Sequence, residues 1–329
     1  MTVCLAAISR GLVIMACDRM ITSGDVEYEG RPGLKCWWFT SSVAALWAGD
    51  AAFQTEVLED VTARVQKRVA ERPTDWWRVQ DVAELYCARH AAARYRRAET
   101  DTLGRMGVDP ERFRNGTHGL SNEIVDNLME RMINFELPGE EYGGGTETII
   151  TGIDTSHGSP IAHLYRTWKD KHFCEDSIGF AAIGYGASHA KSQFQLGRYD
   201  GTKPGEEALW RSYVAKKRSE VAPGVGSNTD MFTIGAQLGA NLTIKQEWIA
   251  ELEARYRQGE AAEQLASEAN VNWVKDWLEK KGESKATPQD KGGSSGPPGP
   301  TGPTPPGAPL VPPAGSGGPI GPTLVPRTA

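Results

Sequence analysis

The sequence contains few cysteines, and their spacing supports neither a disulfide framework nor a zinc site. The 329 residues include five cysteines, an odd number, and no two of them form a Cys-x-x-Cys pair. We therefore expect reduced thiols and a cytoplasmic protein. The six histidines form neither a His-x-x-x-His nor a His-Glu-x-x-His pattern, so the sequence predicts no catalytic metal and no other cofactor.

The sequence also lacks a long apolar run and a basic composition. No run approaches the roughly 18–20 apolar residues that a membrane-spanning helix requires. The N-terminal stretch has no basic start typical of a secretory signal, and Ser9-Arg10-Gly11 interrupts it. The net charge of −6 opposes a general electrostatic attraction to nucleic acid. We therefore expect neither a membrane nor a nucleic acid as a partner.

The composition divides the chain near Gly282. Hydrophobic residues make up 39% of the sequence, which is enough for a sizeable core. Residues 283–329, however, are mostly Pro, Gly, Ser and Thr, and they bury too little surface to offset the entropy of ordering them. We predict a disordered tail, acting as a spacer or, alternatively, as a polyproline ligand for a partner. Residues 1–282 are predicted to form the folded domain.

The apolar pattern within residues 1–282 alternates blocks of strands and helices. The runs Val3 to Ile8 and Leu12 to Cys17 flank Ser-Arg-Gly and predict a hairpin. Further strands are predicted at 35–39, 42–47, 146–153, 161–165, 178–183 and 231–234, and helices at 50–71, 81–99, 122–134, 187–196, 204–220 and 243–281. Because the strands are almost continuously apolar, we expect sheets buried on both faces. An α+β fold in which helices cover two stacked sheets satisfies that pattern.

Thr2 offers nucleophilic chemistry at the N-terminus. Removal of an initiator Met is favoured before a small residue, and it would give Thr2 both a hydroxyl and a free α-amine. The pKa of an α-amine is near 7.7–8.0, against about 10.4 for a lysine side chain. The amine is therefore far more available as a base at neutral pH. Threonine with its own amine is an established pair of nucleophile and base.

Two charged residues are expected to lie beside Thr2. If the N-terminal hairpin pairs, the residues after Cys17 return close to Thr2 and bring Asp18 with them. Lys35 stands at the start of the next predicted strand. A lysine beside Thr2 would lower the pKa of the amine and of the hydroxyl, and Asp18 would hold that lysine charged and in place.

Five segments, taken together with Thr2, resemble a known enzyme family. They are ACDRMITSG at 16–24, LKC at 34–36, LWAGDAAF at 46–53, GID at 152–154 and AIGYGA at 182–187. The combination resembles proteasome β-type subunits and the related bacterial two-component protease, which are N-terminal-nucleophile (Ntn) hydrolases. The resemblance is strongest in residues 1–55. Residues 55–145 are longer and more helical than the family norm, and we interpret them as a helical insertion.

The resemblance implies an αββα four-layer sandwich, with Thr2 as nucleophile, Lys35 as the cation that tunes its pKa and Asp18 as the partner of that lysine. It implies a threonine peptidase that cleaves peptides or unfolded proteins and assembles as a homo-oligomeric ring, with an ATPase as a further expected partner. The residues expected to contact substrate are Arg19, Thr22, Ser23, Trp47, Ala48 and Gly49. The backbone N–H of Leu46 or Trp47 falls at the position expected to stabilise the oxyanion.

The match departs from the family at the groups that normally support the terminal amine. The family has a serine between the two glycines of the later motif, whereas this chain has Tyr185. It also has an acid directly after a Lys-Arg pair, whereas here Ser219 precedes Glu220. The residues that we expect in this supporting role are Tyr185, Ser188, Ser219 and Glu220, with Asp230 as a further candidate.

These departures leave a second function open. The chain is either an active threonine peptidase or an Ntn-fold protein of another kind, namely an amidohydrolase acting on a small substrate or a non-catalytic structural subunit. Gly184 and Gly186 lack the third glycine of a dinucleotide-binding loop, and Asp50 is interpreted as a helix cap. The pairs Trp37-Trp38 and Trp76-Trp77 are interpreted as core or interface aromatics.

Overall fold

The computed structural model describes residues 2–23, 26–72, 77–137, 145–156, 158–237 and 239–283. Within these residues the chain is a mixed α/β protein with three antiparallel sheets and seven α-helices. The described part of the chain divides into two units after Ser267. The predicted tail, residues 283–329, lies outside the described residues apart from its first residue. None of the helices in the described part of the chain combines the length and the apolar character needed to cross a membrane.

Strands and helices follow one another in blocks, as the apolar pattern predicts. The strands are β1 (Cys4–Ser9), β2 (Leu12–Asp18), β3 (Met20–Ser23), β4 (Val26–Glu29), β5 (Cys36–Trp38), β6 (Val43–Ala48), β7 (Glu147–Asp154), β8 (Ile161–Trp168), β9 (Lys171–Cys174), β10 (Phe180–Ile183), β11 (Thr229–Ile234) and β12 (Asn241–Thr243). The helices are α1 (Ala51–Glu71), α2 (Val79–Gly104), α3 (Pro110–Arg114), α4 (Asn122–Ile133), α5 (Ala187–Leu196), α6 (Gly205–Arg218) and α7 (Gln246–Glu283). The sequence pattern does not predict β3, β4, β9, β12 or the short α3.

The first large sheet has the strand order β10-β1-β2-β11-β12. β1 and β2 form the predicted hairpin, with Cys4 opposite Cys17 and Ser9 opposite Leu12. Its two-residue turn has a φ of +72° at Gly11, a conformation that glycine adopts without steric cost. Because of this register, the C-terminal end of β2 returns to the beginning of the chain.

The second large sheet has the order β5-β6-β7-β8-β9, and β3 and β4 pair as a separate hairpin. Lys35 immediately precedes β5, in which Cys36 lies opposite Leu46 of β6. α1 begins soon after β6, and the side chain of Asp50 caps it by accepting a hydrogen bond from the N–H of Phe53 (2.7 Å). The interpretation of Asp50 as a helix cap is confirmed.

Three clusters of buried apolar side chains surround the two large sheets. The first cluster contains residues of both sheets, among them Ile8 and Met15 of one and Leu46 and Ile149 of the other. The second cluster joins the second sheet to α1 and α2. The third joins the first sheet to α5, α6 and the first turns of α7. The central strands are therefore buried on both faces, as their apolar sequences predict.

The predicted helical insertion comprises most of α1 together with α2, α3 and α4. The last two helices share a small apolar cluster with the end of α2, formed by Leu103, Phe113, Leu128 and Met132. Trp37 is partly buried and donates to the hydroxyl of Thr62 (2.8 Å), and Trp38 meets the ring of Phe232 edge-on at 6.4 Å between centroids. Trp76 lies outside the described residues.

His163 of β8 lies between two acidic side chains. Its Nδ1 lies 2.7 Å from Asp176, and its Nε2 lies 3.6 Å from Asp154. Asp154 also accepts a hydrogen bond from the N–H of Val79 at the start of α2 (2.9 Å). The hydrogen bond to Asp176 raises the pKa of His163 against the effect of burial, and the charges of both acids add to the increase.

We expect the protein to lose stability as the pH rises through the pKa of folded His163. A raised folded pKa means that the folded state binds the proton more tightly than the unfolded state, in which the pKa of histidine is about 6.5. The stabilisation is fully present below the unfolded value and is lost as the pH rises through the folded one, with a slope of at most about 1.4 kcal/mol per pH unit. Chemical unfolding between about pH 6 and pH 9 measures this slope. His163→Gln is expected to remove it, and an unchanged slope in that variant would contradict the assignment.

Candidate functional site

Thr2, Asp18 and Lys35 meet at the ends of strands from both large sheets. Thr2 precedes β1, Asp18 ends β2 and Lys35 precedes β5. The register of the hairpin places Asp18 beside the first residues, and its N–H donates to the carbonyl of Val3 (3.2 Å). The three residues are almost fully buried, with exposed fractions of 6%, 0% and 4% in chain order. The structure thus brings together the three residues that the sequence predicts as catalytic.

The hydroxyl of Thr2 is held between a carboxylate and an ammonium. It donates to Asp18 Oδ1 (2.5 Å) and accepts from Lys35 Nζ. Lys35 Nζ also donates to Asp18 Oδ1 (2.8 Å) and to the carbonyl of Met20 (2.5 Å). The ammonium therefore uses all three of its N–H groups, and one of them holds the hydroxyl oxygen.

Backbone N–H groups complete the surroundings of Asp18. Its Oδ1 accepts from Val3 (2.9 Å), and its Oδ2 accepts from Met20 (3.0 Å) and Gly226 (3.1 Å). A buried carboxylate is costly unless it is paired and hydrogen-bonded, and these contacts together with Lys35 meet that requirement. Because the carboxylate is held through both oxygens, its orientation toward the lysine is restrained.

Arg19 and Asp230 form a second ion pair beside the first. Arg19 donates to Asp230 Oδ1 from Nε (2.9 Å) and from Nη2 (2.6 Å), and Asp230 Oδ2 accepts from the N–H of Gly33 (2.7 Å). Asp230 lies opposite Cys17 on the neighbouring strand. The pair therefore ties the end of β2 to the turn that precedes Lys35. The sequence predicts that Arg19 contacts substrate and that Asp230 supports the terminal amine. In the structure the two side chains bind each other.

Two glycines pack directly against Thr2. Gly184 has a φ of +83°, and a Cβ at this position would lie 2.5 Å from the carbonyl oxygen of Thr2. The N–H of Gly186 donates to that same oxygen (3.2 Å). Gly184 also donates its N–H to Oε2 of Glu147 (3.0 Å), a residue of the second sheet. Close approach to Thr2 therefore accounts for Gly184, whereas a Cβ at Gly186 would meet Val3 (2.9 Å) and Ser219 (3.0 Å).

We expect Gly184→Ala to destabilise the protein more than the same change at a glycine in open space. The added methyl group would overlap the carbonyl of Thr2. Gly158 has a similar φ of +82°, but among the residues that the structure describes none beyond its chain neighbours lies within 4 Å of its Cβ position. Both variants place alanine in the left-handed region, which destabilises the folded state by roughly 1–2 kcal/mol. Overpacking in Gly184→Ala is expected to destabilise it by about a further 1–3 kcal/mol. Urea unfolding measures both losses, and equal values would contradict the packing of Gly184 on Thr2.

The residues predicted to support the terminal amine are exposed or bonded elsewhere. Tyr185 and Ser188 are exposed. Ser219 is buried, and its hydroxyl donates to the carbonyl of Ala215 one helical turn earlier (2.7 Å). Glu220 forms ion pairs with two lysines of α6 (2.6 and 2.8 Å). Among the described residues, none of these four predicted supports forms a hydrogen bond with Thr2.

The remaining residues predicted to contact substrate lie in two segments. Thr22 and Ser23 end β3, and their side chains lie outside the described part of the chain. Trp47 and Ala48 are buried at the end of β6. Gly49 follows them, is exposed and has a φ of +104°.

The N–H groups of β6 are used by the second sheet. The N–H of Trp47 donates to the carbonyl of Lys35 (3.3 Å), and Leu46 lies in a strand that is paired on both sides. In such a strand each N–H faces one neighbour or the other. Neither residue predicted to stabilise an oxyanion is therefore free to do so. Gly49 is the first residue beyond this paired strand.

Lys216 lies close to the site without being predicted there. It is wholly buried and donates to the carbonyls of Gly226 and Ser227 (both 2.9 Å). Burial lowers the pKa of Lys216, and the neighbouring Glu220 partly offsets that effect. The position of Lys216 along α6 is the feature of the sequence that could have revealed it. The residue lies on the buried face of that helix, which is formed by Ala208, Ser212, Tyr213, Ala215 and Lys216. A lysine on such a face indicates an internal polar partner.

Three buried cysteines lie near the site. Cys4 and Cys17 lie opposite each other and Cys36 follows Lys35, and all three thiols are buried and free. A hydrogen bond with Cys4 and burial raise the pKa of Cys17, and burial raises the pKa of Cys36. Because the thiolate is the reactive form, the raised pKa disfavours reaction at the thiols of Cys17 and Cys36.

A scan against protein-family models finds no match to this chain, and a search of curated proteins finds none either. Within the residues that the structure describes, no group of three or more His, Cys, Asp or Glu side chains is placed to hold a metal ion. What the site does is therefore inferred from the hydroxyl, carboxylate and ammonium groups that meet at Thr2.

Proposed function

We propose that this protein is a threonine peptidase of the Ntn hydrolase class, similar to proteasome β-type subunits. The observation that carries the proposal is the hydroxyl of Thr2, buried between the carboxylate of Asp18 and the ammonium of Lys35. Removal of Met1 would add an α-amine to the same residue. The site would then hold a nucleophile, a base and a cation in one hydrogen-bonded group.

The packing of the large sheets supports the αββα sandwich that this class implies. One apolar cluster contains side chains of both sheets, and the other two join each sheet to its own helices. We propose that these clusters are the three interfaces of four layers. The layers would be α1 with α2, the second sheet, the first sheet, and α5 with α6. Thr2 would then lie at one end of the sheet–sheet interface.

The proposed reaction begins with transfer of the Thr2 hydroxyl proton to the Thr2 amine, directly or through a water molecule. The hydroxyl hydrogen, which is donated to Asp18 here, turns to the amine while Lys35 keeps its hydrogen bond to the oxygen. The ammonium stabilises the negative charge that develops on Oγ1 as it attacks the amide carbonyl. The protonated amine then donates to the leaving nitrogen, and water releases the acyl group.

The N–H of Gly49 is the proposed donor to the oxyanion. Gly49 lies beyond the paired residues of β6 and just before α1, a helix of 21 residues whose N-terminus carries a partial positive charge. Ala48 lies opposite Glu147, and the side chain of Glu147 accepts from Gly184, which packs on Thr2. These contacts support the proposal that the C-terminal end of β6 lies near the nucleophile.

An Ntn-fold protein without peptidase activity is the second candidate function. It is favoured by Ser219 and Glu220, whose hydrogen bonds go to a helix carbonyl and to lysines rather than to the threonine. Such a protein would be an amidohydrolase for a small substrate or a structural subunit. The peptidase would instead take peptides or unfolded proteins, form a ring of identical copies and work with an ATPase in the cytoplasm.

Hydrolysis of fluorogenic peptides by the purified full-length chain, combined with light scattering, separates these functions. Peptide turnover by a ring-sized assembly supports the proteasome-like peptidase. A ring-sized assembly that hydrolyses neither peptides nor small amides supports a structural subunit. Turnover of small amides alone supports an amidohydrolase, and either of the last two results would overturn the proposal.

A further inference from the structure

Lys216 occupies a position at which a charged side chain is costly. The residue is 0% exposed, and its Nζ donates to the carbonyls of Gly226 and Ser227 (both 2.9 Å) and to Glu220 Oε1 (2.6 Å). All three N–H groups of the ammonium are used, as a buried cation requires. Two of them hold residues 226–227 against α6.

The segment that Lys216 holds is also bonded to Asp18. Gly226 accepts from Lys216 through its carbonyl and donates through its N–H to Asp18 Oδ2 (3.1 Å). It also lies against the backbone that follows Asp18, since a Cβ at Gly226 would be 2.9 Å from Cβ of Met20 and 3.2 Å from its nitrogen. One residue therefore connects the buried lysine to the carboxylate.

The two oxygens of Asp18 make different contacts. Oδ1 contacts Thr2, Lys35 and the N–H of Val3, whereas Oδ2 accepts from the backbone N–H groups of Met20 and Gly226. Rotation of the carboxylate would break the contacts of Oδ2 and move Oδ1 away from Nζ of Lys35. A fixed N–H at Gly226 resists that rotation, and the carbonyl of the same residue is what the buried lysine holds.

We propose that Lys216 is a positioning residue for Asp18. By holding the carbonyl of Gly226, it fixes the N–H that orients the carboxylate. The oriented carboxylate in turn sets the position of the Lys35 ammonium at the hydroxyl of Thr2. The inference rests on the proposed function of Thr2 as the nucleophile, and Lys216 acts through Gly226 rather than on the reacting atoms.

Lys217 provides a matched control. It is the next residue of α6, has a side chain that is 9% exposed and pairs with Glu220 (2.8 Å) and Glu253 (3.1 Å). Lys217→Met therefore removes a positive charge and an ion pair with the same Glu220. It leaves in place the hydrogen bonds of Lys216 to residues 226–227, which only Lys216→Met removes.

Hydrogen–deuterium exchange and steady-state kinetics of the full-length chain test the proposal. In Lys216→Met, exchange at the amides of Gly226 and Met20 is expected to rise by about tenfold or more, because both N–H groups lose a fixed acceptor. Met20 is informative because its N–H reports on Asp18 itself. kcat is expected to fall by about tenfold to a hundredfold, with KM within about twofold. A small misplacement of Asp18 weakens stabilisation of the transition state and leaves substrate binding nearly unchanged. Lys217→Met is expected to change neither the exchange nor kcat.

Unchanged exchange at Gly226 and Met20 in Lys216→Met would overturn the proposal, whatever the state of catalysis. Faster exchange with an unchanged kcat would also overturn it, as would equal effects in Lys217→Met. If the wild-type chain hydrolyses no peptide, the proposed function fails, and exchange at Met20 alone then decides whether Lys216 positions Asp18. If Lys216→Met does not fold, Lys216→Gln takes its place. Its amide nitrogen is one bond nearer the backbone and uncharged, so the hydrogen bonds to residues 226–227 are again expected to be lost, with the same expected and contradicting results.

Discussion

Thr2→Ala is expected to abolish peptide hydrolysis, with a loss of at least about 10³-fold in kcat/KM. The substitution removes the oxygen that Lys35 and Asp18 hold. Alanine, like threonine, is small enough to permit removal of the preceding Met1, so the terminal amine remains and the nucleophile alone is lost. The rate of cleavage of a fluorogenic peptide measures the effect.

Thr2→Ser is the matched variant, because it keeps the hydroxyl and the amine and removes the methyl group. That methyl group lies against Gly184, whose Cβ position is 2.8 Å from Cγ2 of Thr2. We expect serine to retain activity, reduced by about tenfold because its hydroxyl is held less firmly. Equal rates in the wild type and in Thr2→Ala would show that another group performs the hydrolysis.

The loss of activity in Thr2→Ala is expected without loss of the fold. The ion pair between Lys35 and Asp18, at 2.8 Å, does not depend on the hydroxyl. The free energy of unfolding is therefore expected to fall by about 1.5–3 kcal/mol, the usual contribution of a hydrogen bond to a charged group. Thermal or urea unfolding of the purified variant checks this condition.

Lys35→Met is expected both to abolish hydrolysis and to lower the free energy of unfolding by about 3–5 kcal/mol. Asp18 is 0% exposed, so the loss of its cationic partner leaves a buried carboxylate whose remaining described hydrogen bonds come from a hydroxyl and backbone N–H groups. The hydroxyl of Thr2 loses its hydrogen-bond donor at the same time. Urea unfolding measures the change in stability, and peptide cleavage measures the change in activity.

Two further variants show whether the instability comes from an unpaired buried charge. Asp18→Asn combined with Lys35→Met removes both charges, so the double variant is expected to be more stable than the sum of the single changes implies. Lys67→Met makes the same substitution in a pair with Glu71 at 3.9 Å, where the lysine side chain is 77% exposed, and is expected to have no measurable effect. A loss in Lys35→Met as small as that in Lys67→Met would contradict the buried pair.

Part of the site is predictable because it depends on local structure. The two-residue turn at Gly11 sets the register of β1 and β2, and this register returns Asp18 to the start of the chain. Lys35 is different, because its strand belongs to the second sheet and its distance from Thr2 depends on how the two sheets stack. The motif around Lys35 indicates that position, whereas the apolar pattern does not.

The supports of the site are not predictable in the same way. Lys216 acts on backbone carbonyls, and the carbonyl of Gly226 has no side-chain signature in the sequence. Glu147 lies in the second sheet and Gly184 directly follows a strand of the first, so the two meet through tertiary packing. Ser219 is expected beside the amine by analogy, but it directly follows α6, and its hydroxyl bonds to a carbonyl of that helix instead.

The unpredicted strands share a weak apolar signal. β4 has the sequence VEYE, and all four of its residues are exposed, as are the three residues of β12. Strands of this kind have no buried face, so alternation of apolar and polar residues does not reveal them. The central strands are recognisable from the sequence because burial on both faces requires continuous apolar runs.

Mass spectrometry of the intact, catalytically active protein tests the central claim most directly. The claim is that Thr2 supplies the nucleophile and that its own nitrogen supplies the base. The predicted result is an active chain that begins at Thr2. Full activity in a chain that retains Met1 would contradict the claim, because the nitrogen of Thr2 would then be an amide and would accept no proton.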